Sequence, residues 1–229
     1  MAGGLGTRIR ERVKDVPKPM ILFQGKPFLH YKIMQLKQAG FLEIILTIGY
    51  MGEKIQEYFK DGQDFGLKIQ YLIEHEPLGT GGGLRQAVDL ISSPFFMLNA
   101  DTFYELDWQD MANAYEAAAV PHMMMLTDAL NPGQEGVVQL DAEGYIIDFK
   151  EKIISHAGAL INGGVYILDP SIFALIPAGK SSIEKDVFPR LAHLHKMKGY
   201  YYKGYFIDIG TPRFYDQFQQ DLACGKVRL

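Results

Sequence analysis

Three short apolar runs, Glu43–Tyr50, Lys68–Ile73 and Phe95–Asn99, share the first half of the chain with two segments of a different kind. In those segments, Phe28–Ala39 and Gly79–Ile91, apolar residues recur at helical spacing. The runs have strand length and little polar alternation, the pattern of strands covered on both faces. Strand alternating with helix predicts a mostly parallel sheet with helices on both sides. Gly40 stands where it would close the first helix in a left-handed turn.

From about His122 the pattern changes. Met123–Leu126, Gly136–Leu140, Tyr145–Lys150, Leu160–Leu168 and Tyr201–Asp208 read as strands, with turns at Asn131-Pro132-Gly133 and Glu143-Gly144. Antiparallel pairing is therefore expected in the second half. Ser181–His195 and Thr211–Leu222 read as helices, with Thr211 and Pro212 as N-cap and first residue of the last one. The fold class is α/β, with a mixed, mostly parallel central sheet and helices on both faces.

A chain of 229 residues supports one sizeable core without a second independent domain. A net charge of −4 supplies no general basic field, so nucleic acid is not an expected partner and any phosphate site must be local. The single cysteine, Cys224, excludes an intrachain disulfide framework and fits a reducing cytoplasm. No run approaches the ~18 apolar residues that span a membrane, and no signal-peptide pattern is present.

Three glycines fall within Gly3-Gly4-Leu5-Gly6, where backbone can press against a ligand without Cβ atoms intervening. Arg8 follows with a planar cationic fork. Lys18 is held between Pro17 and Pro19. Backbone N–H groups and two fixed cations form a nest for a polyphosphate. The loop is neither a Walker P-loop nor a Gly-x-Gly-x-x-Gly turn. Only Met1 and Ala2 precede it, whereas such loops normally follow a buried strand.

Asp101 lies just past a buried run, in the crevice where such sheets bind ligands. It reads either as a Mg²⁺ ligand or as a turn aspartate. Asp208 again follows a strand and precedes a helix, so the two acids could share one metal. Glu76-Pro77-Leu78-Gly79-Thr80-Gly81-Gly82-Gly83 opens a helix with glycines that let backbone groups reach a base or ribose. Asn162-Gly163-Gly164 interrupts a strand, as if a ligand lay against it. Lys150 and Lys152, beside Glu151, read on charge alone as a solvated cluster. The six histidines show no metal-ligand spacing and read as surface residues, and Met123–Met125 as strand core.

Taken in order, these pieces resemble the sugar-1-phosphate nucleotidyltransferases. The carrying motifs are Ala2-Gly3-Gly4-Leu5-Gly6-Thr7-Arg8, Lys18–Met20, Pro77–Leu84, Asp101, Glu151-Lys152, Asn162–Gly164 and Asp208. Within the family the chain is similar to the bacterial heptose 1-phosphate guanylyltransferases, through Val13–Met20, Lys26–Tyr31, Glu76–Leu84, Leu160–Tyr166 and Tyr205–Pro212. Mannose-1-phosphate guanylyltransferases and uridylyltransferases share much of this.

The resemblance implies a single Rossmann-like domain over 1–229, with a nucleotide-binding half at 1–120 and a sugar-phosphate half at 121–229. It implies a nucleoside triphosphate and a sugar 1-phosphate as substrates, and a cytoplasmic enzyme of nucleotide-sugar supply for surface polysaccharide. A homo-oligomer is compatible with it. Nucleotide contacts would come from Ala2, Gly3, Gly4, Gly6, Thr7, Arg8, Glu76, Pro77, Gly79, Thr80 and Gly81. Sugar-phosphate contacts would come from Glu151, Lys152, Asn162 and Gly163. Arg8, Lys18 and Asp101 would be catalytic, with Asp101 and Asp208 holding Mg²⁺. The departure is the apolar strand that relatives place before the glycine loop. Two other readings are a glycosyltransferase and a non-catalytic nucleotide-sugar sensor. The first usually carries Asp-x-Asp where this chain has Asn99-Ala100-Asp101.

Overall fold

The computed structural model describes residues 16–129, 134–154, 156–209 and 212–227. The glycine loop through Arg8, the turn at Asn131-Pro132-Gly133 and the Thr211 cap lie outside them. In chain order the elements begin with β1 (Leu22–Phe23), β2 (Lys26–Pro27), α1 (Phe28–Gln38), β3 (Glu43–Ile48), α2 (Gly52–Phe59), β4 (Lys68–Ile73), α3 (Gly79–Arg85) and β5 (Phe95–Leu98). They continue with β6 (Thr102–Tyr104), α4 (Trp108–Ala118), β7 (His122–Asp128), β8 (Gln134–Leu140), β9 (Ile146–Ile154) and β10 (Leu160–Leu168). The last are α5 (Phe188–His193), β11 (Met197–Tyr201), β12 (Phe206–Asp208) and α6 (Pro212–Ala223). Among the described residues no helix is long and apolar enough to cross a membrane.

Two compact units form, interleaved along the chain rather than divided at residue 120. One gathers the described residues of 1–77, 99–105 and 205–229; the other gathers 78–98 and 106–204.

In the first unit, β3 and β4 pair in parallel, from Glu43↔Lys68 to Ile48↔Ile73, joined through α2. Helix α1 buries Phe28, Leu29, Tyr31, Ile33 and Leu36. It ends as expected: Gly40 adopts φ +90°, its N–H donates to Lys37 O (2.9 Å), and Phe41 N–H donates to Leu36 O (3.0 Å). That double return satisfies carbonyls the helix would otherwise leave open. Strands β1 and β2 form a hairpin whose turn residues Gln24 (φ 47°) and Gly25 (φ 80°) both take positive φ. One core cluster joins Leu29 and Ile33 to Leu46, Ile48, Ile55, Phe59 and Ala100. A second is aromatic. Phe218 of α6 is fully buried, with ring centroids 4.9 Å from Phe23, 5.1 Å from Phe28 and 5.4 Å from Phe103.

In the second unit a six-stranded sheet runs β11-β7-β10-β8-β9, with β5 also pairing β10. Only β11–β7 is parallel there. The α/β class and the mixed sheet are as expected. The balance differs: among the described residues antiparallel pairs outnumber the two parallel ones, because within 122–168 β7 pairs β10, β10 pairs β8 and β8 pairs β9, all antiparallel. Met123, Met124 and Met125 are all buried, as strand core covered on both faces.

Three expected elements change form. Tyr201–Asp208 is two strands, not one. After Tyr202 N–H bonds Leu126 O, the chain leaves the sheet at Gly204, where any Cβ would collide with the Tyr202 ring. Ser181–His195 begins as a π-helix, Ile183–Val187, and becomes α-helical only from Phe188. Pro189 has no N–H to continue the earlier ladder. The helix from Gly79 ends at Arg85 instead of Ile91.

His122 is a correction to the surface reading of the histidines. It is buried, and its Nδ1 accepts from Asp169 N–H (3.3 Å). Burial pushes its pKa down to about 4, with Asp169 opposing.

Phe218→Ala should destabilise the fold by about 3–5 kcal/mol, because the aromatic cluster cannot collapse into the space left. Urea unfolding checks this: the midpoint should fall with an unchanged slope. A loss under 1 kcal/mol would contradict the packing described.

Candidate active site

Strands β6 and β12 pair antiparallel, with Asp208 opposite Thr102. The ladder continues one step further, Ile209 N–H donating to Asp101 O (3.0 Å). That register brings the Asp101 turn beside the end of β12. Between the two acids stands Lys18, at the start of the 3₁₀ turn Lys18–Met20. Its Nζ lies 2.7 Å from Asp101 Oδ2 and 3.4 Å from Asp208 Oδ1. The lysine side chain keeps 12% of its surface exposed, against 36% for Asp101 and 47% for Asp208. The flanking prolines fix the backbone that aims it. Three residues distant in sequence and singled out there are thus brought together.

Burial pushes the Asp101 carboxyl up. The Lys18 ammonium, through its charge and its hydrogen bond, outweighs that and holds the group below the usual carboxylate range, with Lys32 adding to the effect. Lys18 thus stands in direct contact with both carboxylates. Among the described residues no three His, Cys, Asp or Glu side chains are grouped to hold a metal. The pair instead offers hard oxygen donors on a partly open face. That suits Mg²⁺, which takes one or two carboxylates and completes its shell with water and phosphate oxygens.

Lys32 is a residue the sequence reading missed. It projects from the buried face of α1, and its Nζ donates to Thr102 O (2.7 Å) and Tyr104 OH (2.9 Å). Burial lowers its pKa to about 7, with Asp101 opposing. Gln35, one turn on, donates to Tyr104 O. Helix α1 therefore fastens the strand that follows Asp101. A lysine among the apolar positions of α1 was the available signal. Glu76 and Pro77 of the same unit are exposed.

The second unit holds the other candidates. Gly79 takes φ +73°, and a Cβ there would collide with Ser181 O. Gly81 would meet Ser181 Oγ, and Gly82 the carbonyl of Gly179. Gly81–Gly83 read in the sequence as letting backbone reach a ligand; in the structure Gly81 and Gly82, with Gly79, also lie against the chain's own 179–181 segment. Thr80 Oγ1 donates to Glu184 and accepts from Ile183 N–H. On β10, Asn162 Oδ1 accepts from Gly164 N–H (2.9 Å) and Asn162 Nδ2 donates to Tyr166 OH (2.7 Å). This ties off an irregularity in the β7 pairing between Asn162 and Tyr166. Gly163 leaves no room for a Cβ against Met125.

Glu151 and Asn162 approach one another across β8. A Cβ on Gly136 would lie 3.0 Å from Glu151 Oε2 and 3.3 Å from Asn162 Cβ. The bare Gly136, also missed in the sequence, is what lets both side chains occupy that face. Lys152 lies on β9 one residue beyond Glu151. Lys150 pairs with Asp148 (2.8 Å) on an exposed surface, in keeping with a solvated charge. Ala2, Gly3, Gly4, Gly6, Thr7 and Arg8 lie outside the described residues.

The model of the family described as "Nucleotidyl transferase" matches residues 1–224. The chain is 37% identical over 219 residues to the D-glycero-alpha-D-manno-heptose 1-phosphate guanylyltransferase of Campylobacter jejuni, covering 95% of this chain and 96% of that one. It is 34% identical over 221 residues to the mannose-1-phosphate guanyltransferase of Schizosaccharomyces pombe, covering 94% of this chain but spanning only 61% of that relative. Among solved structures, HddC from Yersinia pseudotuberculosis superimposes with a TM-score of 0.84 at 32% identity, covering 96% of each chain. A second HddC structure, complexed with GMP-PN, matches equally well.

Lys18→Met should raise the Asp101 titration, since the strongest counter-charge to burial is then gone and only Lys32 and a backbone hydrogen bond still oppose it. Carboxyl-carbon NMR of the variant measures this directly. An unmoved Asp101 titration would contradict the electrostatics described.

Proposed function

The chain belongs to the nucleotidyl transferase family, and from that premise we propose that it joins a sugar 1-phosphate to GTP, giving a GDP-sugar and pyrophosphate. Our reading of the sugar is D-glycero-α-D-manno-heptose 1-phosphate. It is supported by the full-length similarity to the Campylobacter jejuni enzyme that bears that name. GTP is supported by that name and by the HddC complex with GMP-PN at 32% identity. Mannose 1-phosphate is the second reading, carried by relatives of which the chain spans about 61%.

A phosphate oxygen of the sugar attacks the α-phosphorus of GTP in line, and pyrophosphate departs. No covalent bond to the protein forms, so catalysis consists of positioning and charge neutralisation. Lys18 supplies positive charge at the α-phosphate from its place between the two acids. Asp101 and Asp208 would hold Mg²⁺, which when bound would neutralise phosphate charge. Arg8 and the N–H groups of Gly3–Gly6 hold the departing β- and γ-phosphates. The loop from Glu76 through Gly81 receives the base. Lys152 anchors the sugar phosphate, while Glu151 and Asn162 bind sugar hydroxyls, a role supported by their approach over Gly136. The proposal includes work in the cytoplasm, at the supply of nucleotide-sugar for surface polysaccharide.

The observation that carries this reading is the meeting of Asp101 and Asp208 at Lys18 in a chain of this family. The test is pyrophosphate release from a panel of sugar 1-phosphates with GTP, UTP and dTTP. Heptose 1-phosphate with GTP should be preferred, and Asp101→Asn should lower kcat by about 10² or more with the fold retained. Near-full activity of Asp101→Asn would overturn the assignment of roles. Nucleotide binding without pyrophosphate release from any pair would favour a sensor over an enzyme.

A further inference from the structure

The loop proposed to receive the base does not hold its own shape. Helix α3 begins Gly79-Thr80-Gly81-Gly82-Gly83, and each interior glycine weakens a helix by about 1 kcal/mol relative to alanine. Its form is imposed by the 179–184 segment of the same unit. Gly81 and Gly82 N–H groups both donate to Ser181 O (3.0 and 3.4 Å), and Ser181 N–H donates to Leu78 O (2.9 Å). The side-chain layer above this backbone zipper ends on one carboxylate. Ile183 N–H donates to Thr80 Oγ1 (3.0 Å), Thr80 Oγ1 donates to Glu184 Oε2, and Ser182 Oγ donates to the same oxygen (2.7 Å). Thr80 thereby uses its hydroxyl as donor and acceptor at once, which fixes its rotamer.

The acceptor is delivered by the π-helix Ile183–Val187, whose wide turn is a rare form, frequent at functional sites. Its N-cap is Ser182, the other donor to Glu184 Oε2, whose Oγ also accepts from Lys185 N–H (3.3 Å). The segment then runs into α5, where Phe188 packs on Phe149 of β9 and Tyr166 of β10 (ring centroids 5.5 and 5.0 Å). Glu184 is therefore held on a frame anchored in the sheet, while the glycine loop is held by Glu184. Charge-assisted hydrogen bonds of this kind are the stronger ones, and a half-buried site strengthens them further.

We propose that Glu184 is a positioning residue for nucleotide binding: it touches no substrate, and acts by accepting from Thr80 and Ser182 so that the glycine loop is presented preformed to the triphosphate's base. This rests on the reading of 76–81 as the base-receiving loop. Removing the acceptor lets the loop sample other shapes, and the ordering must then be met from binding free energy. The effect falls on nucleotide affinity and leaves the chemical step alone.

The experiment compares Glu184→Ala, Glu184→Gln and Thr80→Val with the full-length wild type, using GTP as the probe. Calorimetric GTP binding and steady-state kinetics are both read. Glu184→Ala should weaken GTP binding and raise KM for GTP roughly tenfold, the size expected when a charge-assisted hydrogen bond is lost. Both kcat and KM for the sugar 1-phosphate should stay within about twofold. Glu184→Gln keeps an oxygen acceptor for both hydroxyls and should restore most of the affinity, which a general loss of fold would not allow. Thr80→Val should weaken GTP binding similarly, and the Thr80→Val/Glu184→Ala double variant should lose little more than either single one. Unchanged GTP binding in Glu184→Ala, or full additivity in the double variant, would overturn the proposal. Should Glu184→Ala fail to fold, Ser182→Ala, which removes the other donor to Glu184 Oε2 and is no part of the base-receiving loop, decides together with Glu184→Gln: loss in the first and retention in the second supports it, and the reverse sinks it. A wild type that binds no GTP removes the base-loop reading itself, a result distinguishable from a GTP-binding wild type whose variants are unaffected.

Discussion

One ammonium group holds the chemistry of this molecule in place. Lys18 reaches two carboxylates, Asp101 and Asp208, delivered by strands far apart in the chain. Two acids brought this close would repel one another and drive each other's protonation upward. Lys18 cancels that repulsion and keeps Asp101 below the ordinary carboxylate range despite its burial. The strand pair β6–β12 sets the distance, and Lys32 and Gln35 of α1 fasten β6 from beneath. The aromatic cluster around Phe218 packs Phe103 of β6 and Ile207 of β12 into one core. Core, ladder and ion pairs therefore serve the same end, a fixed pair of acids with a resident cation. Such an arrangement is ready for a divalent ion and polyphosphate because little must move when charge arrives.

The second unit shows how a motif can carry two meanings at once. Gly81–Gly83 read in the sequence as clearance for a ligand, yet Gly81 and Gly82, like Gly79, lie against the 179–181 segment. The absence of Cβ atoms is used on the protein's own side of the loop. The two uses are compatible, since a backbone pressed flat against one segment presents its other side as a firm surface. Gly136 works similarly on β8, where a missing side chain admits Glu151 and Asn162 from the neighbouring strands.

Much of this was legible in the sequence because it depends on local pattern. Strand β4 follows its apolar run end to end, Gly40 closes α1 through its positive φ, and Leu160–Leu168 is a strand over its whole predicted length. What escaped depends on contacts distant in sequence. Strands β6 and β12 have three residues each, too few for a period, and only their pairing brings the acids together. Lys32 carries a charge and so reads as solvent-facing, although carbonyl and phenol acceptors wait for it in the interior. His122 misled in the same way, since its ring nitrogen is satisfied by the Asp169 backbone. The break after Tyr201 is the local exception: the ring that excludes a side chain from Gly204 belongs to Tyr202, two residues back, and its placement depends on the fold rather than on a sequence period. Glu151-Lys152 and Asn162-Gly163 drew attention through their motifs, while charge alone argued for a solvated cluster.

The central claim is that Asp101 and Asp208 form a single metal-binding pair. Anomalous diffraction from crystals grown with Mn²⁺ and a non-hydrolysable GTP analogue tests it most directly. The account predicts one peak within bonding distance of a carboxylate oxygen from each residue, with nucleotide phosphate completing the shell. A peak that touches neither acid, or that touches Asp101 while Asp208 faces away, would contradict it.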